Sequence, residues 1–278
     1  MSTGVFLAVL AAAFLHAAWN SLVKLGANKL TAMLILTIVQ GCAGLAILLT
    51  RPFPTVDWVP WLAMSGAFHA GYKLFLALAY ENGDLSRVYP IARGAAPLIV
   101  LGSSGIFLSD PLDGRDIVGI LVLGAGILGM ARGVFGAGEA VALVPLALGS
   151  AAMTAGYSIV DGLGARVSGD AVAYVGWLFF LDMALFTPVC LALRGRDVLR
   201  ADARAWRVGA LAATASYAAY AIAVWAMTVA PIALVAALRE TSILFAVLIG
   251  WLAMGERMDT GKAVAALLIV SGVALTRL

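Results

Sequence analysis

The sequence predicts an all-α membrane protein with ten transmembrane helices. Hydrophobic residues make up 63% of the 278 residues and charged residues 12%, whereas soluble domains are about 45–50% apolar and about 25% charged. The apolar residues form ten segments, each close to the ~20 residues that a helix needs to cross a bilayer. These segments are too long for barrel strands, so helices are the remaining way to satisfy the backbone in lipid.

The predicted spans follow one another with short breaks. In chain order they are 3–23, 30–50, 58–80, 85–108, 115–132, 140–163, 171–193, 206–228, 231–253 and 260–277. The breaks contain turn-forming stretches such as "ENGD" at 81–84 and "SDPLDG" at 109–114. Because the loops are short, we expect consecutive helices to run antiparallel, with no soluble domain between them. The tightest break is at Ala230-Pro231, and residues 231–253 are expected to form one continuous helix.

The two halves of the chain align with each other. When the stretch from Ala92 is placed on the stretch from Leu238, Arg93 meets Arg239 and Gly126 meets Gly272. Each half contains five spans, and an odd number gives the second half the opposite orientation in the membrane. The sequence therefore predicts two inverted five-helix repeats, residues 1–135 and 136–278. Many secondary transporters are built in this way, with the substrate site near the midplane.

Three stretches carry a resemblance to a known family. They are "LHAAWNSLVK" in the first span, "GDLSRVYPIARGAAPLIV" entering the fourth, and "LRETSILFAVLIGWLAMGERMDTGKAVAALLIVSGVAL" over the last two. The chain resembles the EamA-type branch of the drug/metabolite transporter superfamily over essentially its whole length. The resemblance implies a ten-span transporter, but members carry amino acids, nucleotide sugars, sugar phosphates or drugs. One departure is that Gly255-Glu256 has no counterpart after the fourth span, where Ser109-Asp110 stands.

Polar residues inside the spans are candidates for the substrate site, because charges in the bilayer core are costly and usually functional. Many recur at helical spacing, which gives spans one, three, four, six, eight and nine a polar face each. We expect these faces to surround one cavity, and the resemblance implies the same lining helices. The predicted substrate-binding residues are His16, Trp19, Asn20, His69, Tyr72, Lys73, Tyr89, Arg93, Tyr157, Asp161, Tyr217, Tyr220, Arg239 and Glu240.

Arg239 and Glu240 are adjacent charges in the middle of the ninth span. Adjacent residues lie about 100° apart on a helix, so the two are not expected to pair with each other. Arg239 is expected to meet Asp161 or a substrate carboxylate. Glu240 is expected to meet Lys73, a ligand ammonium or a proton, and is the candidate for proton coupling. The alternative is that these charges form a structural network between helices, the role that we assign to Asp182.

A cavity with charges of both signs and aromatic rings suits a small zwitterion. We therefore predict a secondary transporter that moves an amino acid or a similar metabolite by alternating access. The alternatives are an exporter of lipophilic cations and an exchanger of organophosphates or nucleotide sugars. An intramembrane lipid enzyme and a passive scaffold are more remote. No catalytic activity is expected, because the sequence contains no HExxH or GxSxG motif, and "GAGILG" at 124–129 lies inside a span rather than after a strand.

The predicted partners are a small-molecule substrate, the lipid bilayer and, as the candidate coupling ion, protons. Neither a cofactor, a metal nor nucleic acid is expected, and a monomer and a homodimer are both left open. The expected location is the bacterial inner membrane, with multiple passes. More lysine and arginine residues fall in loops opposite the termini than beside them, which places the termini outside. The resemblance implies cytoplasmic termini, so orientation and the direction of transport stay open.

Overall fold

The computed structural model describes residues 1–24, 29–51, 53–81, 85–130, 143–254 and 260–277, and the regular structure in these ranges is entirely helical. A short 3₁₀ helix, Arg196–Leu199, precedes α8. The α-helices are α1 (Thr3–Lys24), α2 (Lys29–Leu48), α3 (Val59–Glu81), α4 (Leu85–Phe107), α5 (Gly114–Gly129), α6 (Leu143–Ser168), α7 (Ala171–Arg194), α8 (Ala203–Val229), α9 (Ile232–Arg239), α10 (Ser242–Met254) and α11 (Thr260–Leu275).

Each predicted span contains a helix, and most helix bounds lie close to the predicted ones. By length and composition, six stretches of the described chain could cross a membrane: Thr3–Val23, Thr31–Leu48, Leu143–Ser168, Ala171–Ala192, Ala203–Val229 and Ile232–Leu252. Ile91–Phe107 and Thr260–Leu275 are shorter apolar helices. The predicted start of the sixth span and the predicted boundary at 135/136 both lie outside the described residues.

The prediction of one continuous helix over 231–253 is wrong. Helix α9 ends at Arg239 and α10 begins at Ser242. Between them, the amide of Thr241 donates to the Leu238 carbonyl and the amide of Ile243 to the Glu240 carbonyl, both at 3.1 Å. These bonds span three residues, so the chain tightens into a 3₁₀-type turn. The Thr241 hydroxyl also donates to the Leu238 carbonyl at 2.7 Å, a bond that bends helices.

Helices of the first half pack mainly on helices of the second half. The main pairs are α1 with α8, α3 with α6, α2 with α7, and α5 with α11. Glycines allow two of these pairs to approach backbone to backbone. A Cβ atom on Gly44 of α2 would lie 2.5 Å from the Gly176 carbonyl oxygen of α7, and one on Gly119 of α5 would lie 2.8 Å from the Gly272 carbonyl oxygen of α11. Small residues at such contacts are how membrane helices pack closely.

We expect Gly44→Ala to lower the free energy of unfolding by about 2 kcal/mol, because the added methyl group forces α2 and α7 apart. Gly102→Ala is the matched control, since a Cβ atom on this α4 glycine meets nothing within 4 Å. Unfolding of both variants by denaturant in detergent measures the difference. Equal stability of the two variants would contradict the close approach of α2 and α7.

The connection between α8 and α9 is held by a partly buried ion pair, in which 28% of the Arg166 side chain and 12% of the Asp110 side chain are exposed. The Arg166 guanidinium donates to the two Asp110 carboxylate oxygens at 2.7 and 3.1 Å. Arg166 also donates to the Met227 and Ala230 carbonyls, at 2.8 and 3.0 Å. The second Asp110 oxygen accepts from the Ile232 amide at 2.8 Å. Polar backbone groups at the break around Ala230 are thereby satisfied away from water.

Candidate functional site

Four predicted site residues from three parts of the fold form a buried charged cluster: His16 of α1, Arg93 of α4, Arg239 at the end of α9, and Glu240 in the α9–α10 turn. Arg93 Nη1 donates to Glu240 Oε1 at 3.3 Å, and Arg93 Nη2 lies 3.2 Å from His16 Nε2. Arg239 Nη2 lies 3.6 Å from the same Glu240 oxygen. Arg93, Arg239 and Glu240 are only 6, 5 and 2% exposed.

The contact between Arg239 and Glu240 contradicts the prediction that these adjacent residues do not pair. That prediction considered only the directions of the Cβ atoms on a regular helix. In the structure the helix ends at Arg239, and its long side chain reaches the carboxylate of the next residue. The expected partners, Asp161 for Arg239 and Lys73 for Glu240, make other hydrogen bonds.

The charged cluster contains more cationic than anionic groups. One carboxylate oxygen, Glu240 Oε1, lies 3.3 Å from Arg93 Nη1 and 3.6 Å from Arg239 Nη2. Both distances are longer than the roughly 2.7–2.9 Å typical of charge-assisted hydrogen bonds. Among the described residues, Glu240 Oε2 and Arg239 Nε have no hydrogen-bond partner. Buried polar atoms are normally paired. The charged cluster therefore has an unused donor beside an unused acceptor, and one more anionic group would balance its excess positive charge.

His16 is contacted from both sides. The Trp19 indole N–H donates to Nδ1 at 3.3 Å, while Arg93 Nη2 approaches Nε2 at 3.2 Å. A neutral imidazole has one acceptor nitrogen, so it can accept from only one of these donors at a time. The two donors therefore compete for this ring. Asn20, predicted on the same face, donates to the backbone carbonyl of His16 at 2.8 Å, so its amide N–H group is used within α1.

Asp161 of α6 is held by phenol groups rather than by a cation. Tyr174 of α7 donates to Asp161 Oδ1 at 3.2 Å, and the Tyr220 hydroxyl of α8 donates to Oδ2. Asp161 is 0% exposed. Burying a carboxylate is tolerated where hydrogen bonds replace water. This negative charge lies among aromatic rings, a combination that attracts an ammonium group.

Aromatic rings connect Asp161 with the charged cluster. The centre of the Arg239 guanidinium lies 5.7 Å from the Tyr157 ring centre and 5.9 Å from that of Tyr220. The His69 ring stacks on Tyr157 with ring centres 4.3 Å apart. Tyr72 meets Tyr157 edge to face at 5.9 Å. The structure thus brings together residues from spans one, three, four, six, eight and nine, the set predicted to line the cavity.

Two predicted site residues, Lys73 and Tyr217, do not belong to this group. Lys73 pairs with Asp182 of α7 at 2.6 Å, outside the charged cluster. The Tyr217 ring packs 4.8 Å from the Phe179 ring, and its hydroxyl has no partner among the described residues. Tyr89 belongs to α4, but its side chain lies outside the described residues. Polar faces at helical spacing therefore predicted most of the residues that contact one another around the charged cluster and Asp161. They did not predict that Lys73 and Tyr217 lie elsewhere.

Sequence reasoning missed two residues that contact the site. Ser158 of α6 accepts from Arg239 Nη2 at 3.4 Å, and Tyr174 holds Asp161. Span seven was not among the spans with a predicted polar face, so Tyr174 gave no periodic signal. One indirect signal in the sequence is the glycine at position 164 of α6. A Cβ atom at this position would lie 2.6 Å from the Tyr174 hydroxyl, so the glycine makes room for that phenol group.

The chain resembles known proteins in sequence and in fold. Residues 142–278 match the sequence model of the EamA-like transporter family. The chain belongs to the EamA-like transporter family. A crystal structure, described only as that of a protein, superposes with a TM-score of 0.74 over 99% of this chain and 97% of its own, at 21% sequence identity. That likeness shows the fold. Among curated proteins, none matches the sequence significantly.

The family assignment confirms the resemblance to the drug/metabolite transporter superfamily, to which EamA-like proteins belong. With its apolar helices, this EamA-like chain is an integral, multi-pass membrane protein. EamA-like proteins are transporters, which agrees with the expectation that the chain is not an enzyme.

Proposed function

We propose that this EamA-like protein is a secondary transporter for a small zwitterion, most simply an amino acid, in the bacterial inner membrane. The observation that carries the proposal is that Arg93 and Arg239 share one Glu240 oxygen, while Glu240 Oε2 and Arg239 Nε have no partner among the described residues. A substrate carboxylate bound by these guanidiniums would supply the missing acceptor, since arginine binds carboxylates in bidentate fashion.

The neighbouring groups suit the other end of a zwitterion. Asp161 carries a negative charge that no described cation pairs with within 4 Å, and the Tyr157 and Tyr220 rings lie between it and the charged cluster. An ammonium group placed there meets a carboxylate and aromatic faces. The substrate would thus lie across the bundle, with its carboxylate toward α4 and α9 and its ammonium group toward α6.

Glu240 is the candidate for proton coupling. Glu240 and a substrate carboxylate would compete for the same two guanidiniums, so a proton that neutralises Glu240 makes both guanidiniums available to the substrate. Each substrate molecule would then bind together with one proton. A proton gradient would thereby drive transport without a nucleotide-binding domain.

The packing of the helices supports alternating access by two inverted repeats, residues 1–135 and 136–278. In two such repeats, each of spans one to five corresponds to the span five positions later. The α1–α8 contact is then equivalent to the α6–α3 contact. The α2–α7 and α5–α11 contacts each join two corresponding spans. The broken ninth span supports the same mechanism, because discontinuous helices at the interface of two repeats form the substrate sites of many transporters.

The contacts disfavour the alternative substrates. An organophosphate would need several cations together, but Lys73 pairs with Asp182 away from Arg93 and Arg239. A lipophilic cation at Glu240 would have to compete with the two guanidiniums that already contact that carboxylate. A lipid enzyme or a passive scaffold would leave the unused donor and acceptor of the charged cluster without a role.

Uptake into proteoliposomes tests the proposal. Labelled amino acids, a lipophilic cation and a sugar phosphate are offered with and without an imposed pH gradient. We expect an amino acid to accumulate, and Arg93→Gln to reduce its uptake at least tenfold, an energy of about 1.4 kcal/mol. Arg51→Gln, which removes a guanidinium at the protein surface, is the control and should transport normally. Uptake of the cation or the sugar phosphate alone would overturn the proposal.

A further inference from the structure

A cavity lies between α3 and α7, outside the charged cluster. Its volume is about 810 Å³, within the range of small-molecule sites. Leucine, valine, alanine and aromatic side chains form most of its wall. It opens at the surface of the bundle, where Val59, Leu185 and Val189 are 55, 65 and 52% exposed. We call it the α3–α7 cavity.

One ion pair interrupts the apolar wall. Lys73 Nζ lies 2.6 Å from Asp182 Oδ1, and 4.6 Å from the centre of the Phe186 ring. All three residues line the α3–α7 cavity. An ion pair that only holds two membrane helices together is expected to be buried between those helices. Here 31% of the Lys73 side chain and 26% of the Asp182 side chain remain exposed, so both charges can reach a ligand.

We propose that the α3–α7 cavity is a second binding site for the transported zwitterion, and that it selects substrates with a large apolar side chain. The ammonium group of the ligand binds Asp182 and its carboxylate binds Lys73, so that two ion pairs replace one. The apolar side chain then lies against Leu62, Leu178 and Leu181, which line the cavity. This inference rests on the proposed function, because the ligand is the transported substrate.

Two side chains, His69 and Tyr157, separate the cavity from the charged cluster. His69 lines the α3–α7 cavity on one side and stacks on Tyr157 on the other, with ring centres 4.3 Å apart. Tyr157 in turn lies 5.7 Å from the Arg239 guanidinium. The His69 ring also contacts the backbone carbonyl of Ser65, another residue of the cavity wall, at 3.0 Å. Rotation of His69 and Tyr157 together would join the two sites, so the cavity serves as a waiting position next to the charged cluster.

The composition of the wall narrows the class of substrate. A sugar phosphate has no apolar side to place against leucine, and its charge would require more cations than Lys73. A lipophilic cation would satisfy Asp182 but leave Lys73 unpaired in an apolar wall, at a cost in desolvation. An α-amino acid with an aromatic or branched side chain satisfies both charges and fills the apolar space.

The test compares uptake of labelled L-phenylalanine and L-alanine by proteoliposomes. The variant Lys73→Met with Asp182→Leu removes both charges together, because removing one would leave the other unpaired. We expect the KM for phenylalanine to rise about tenfold, the maximal rate to stay within about twofold, and the preference for phenylalanine over alanine to disappear. Lys73→Asp with Asp182→Lys keeps an ion pair and should retain much of the preference.

Labelling separates a binding role from a structural one. Ala70 also lines the cavity, and a cysteine placed there, in a protein with Cys42→Ser and Cys190→Ala, should react with a maleimide more slowly when phenylalanine is present. This protection should vanish in the Lys73→Met, Asp182→Leu variant. An unchanged KM with no protection at position 70 would overturn the inference, while loss of uptake in Arg93→Gln would leave the proposed function standing. Parent protein that takes up no amino acid would overturn both.

Discussion

Arg166→Met is expected to lower the free energy of unfolding by about 2 kcal/mol. Arg166 makes two hydrogen bonds to Asp110 and two to backbone carbonyls at the α8–α9 connection. Methionine fills similar volume but donates nothing. The pair is partly buried, so water compensates Asp110 only in part when its partner is removed, and two carbonyls lose their donor at the same time.

The chain provides a matched control for this effect. Arg51 pairs with Asp170 at 2.9 Å, but its side chain is 43% exposed, and exposed pairs contribute about 0–1 kcal/mol. Arg51→Met should therefore change stability by less than about 1 kcal/mol. Denaturant titration of both variants in the same detergent measures the two values. Similar values would show that Arg166 does not hold the α8–α9 connection.

Glu240→Gln is expected to reduce uptake of the substrate at least tenfold, an energy of about 1.4 kcal/mol, and to abolish its dependence on a pH gradient. Glutamine keeps the size of the side chain and can still accept from Arg93 and Arg239. It can neither balance their charge nor take up a proton. The variant should therefore fold, bind the substrate carboxylate without competition, and exchange labelled for unlabelled substrate without moving protons.

Asp116→Asn is the matched control for Glu240→Gln. It makes the same change from carboxylate to amide at the start of α5, where Asp116 belongs to a capping box with Asp113. This variant should transport at the rate of the parent protein and keep the dependence on pH. Proton uptake on substrate binding, followed with a dye in weakly buffered detergent solution, should be lost only in Glu240→Gln. Persistence of pH-driven uptake in that variant would assign proton coupling to another residue.

The positions of the helices could be predicted from the sequence because length and hydropathy determine them. Each apolar segment is close to the thickness of the bilayer, and turn residues separate the segments. The break at 239–242 could not be predicted in this way, since apolar residues on both sides of Arg239, Glu240, Thr241 and Ser242 continue the span. Its cause is tertiary: the buried Glu240 carboxylate pairs with Arg93 of another helix.

Helical spacing identified most of the site, because polar residues that recur on one face must avoid lipid. It could not determine which faces converge. Lys73 shares a face of α3 with His69, yet it turns toward α7, where Asp182 was assigned a structural role. Tyr174 is followed at helical spacing by Trp177 and Leu178, neither of which indicates a polar face, so its contact with Asp161 became visible only once α6 and α7 were placed together.

The central claim is that the charged cluster binds the carboxylate of a zwitterionic substrate. Equilibrium binding to the detergent-purified protein tests it most directly, with an amino acid that is taken up, its amide and its decarboxylated amine. We predict binding of the amino acid, at least tenfold weaker binding of the amide and the amine, and loss of amino-acid binding in Arg93→Gln. Equal binding of all three ligands, unaffected by Arg93→Gln, would contradict the account.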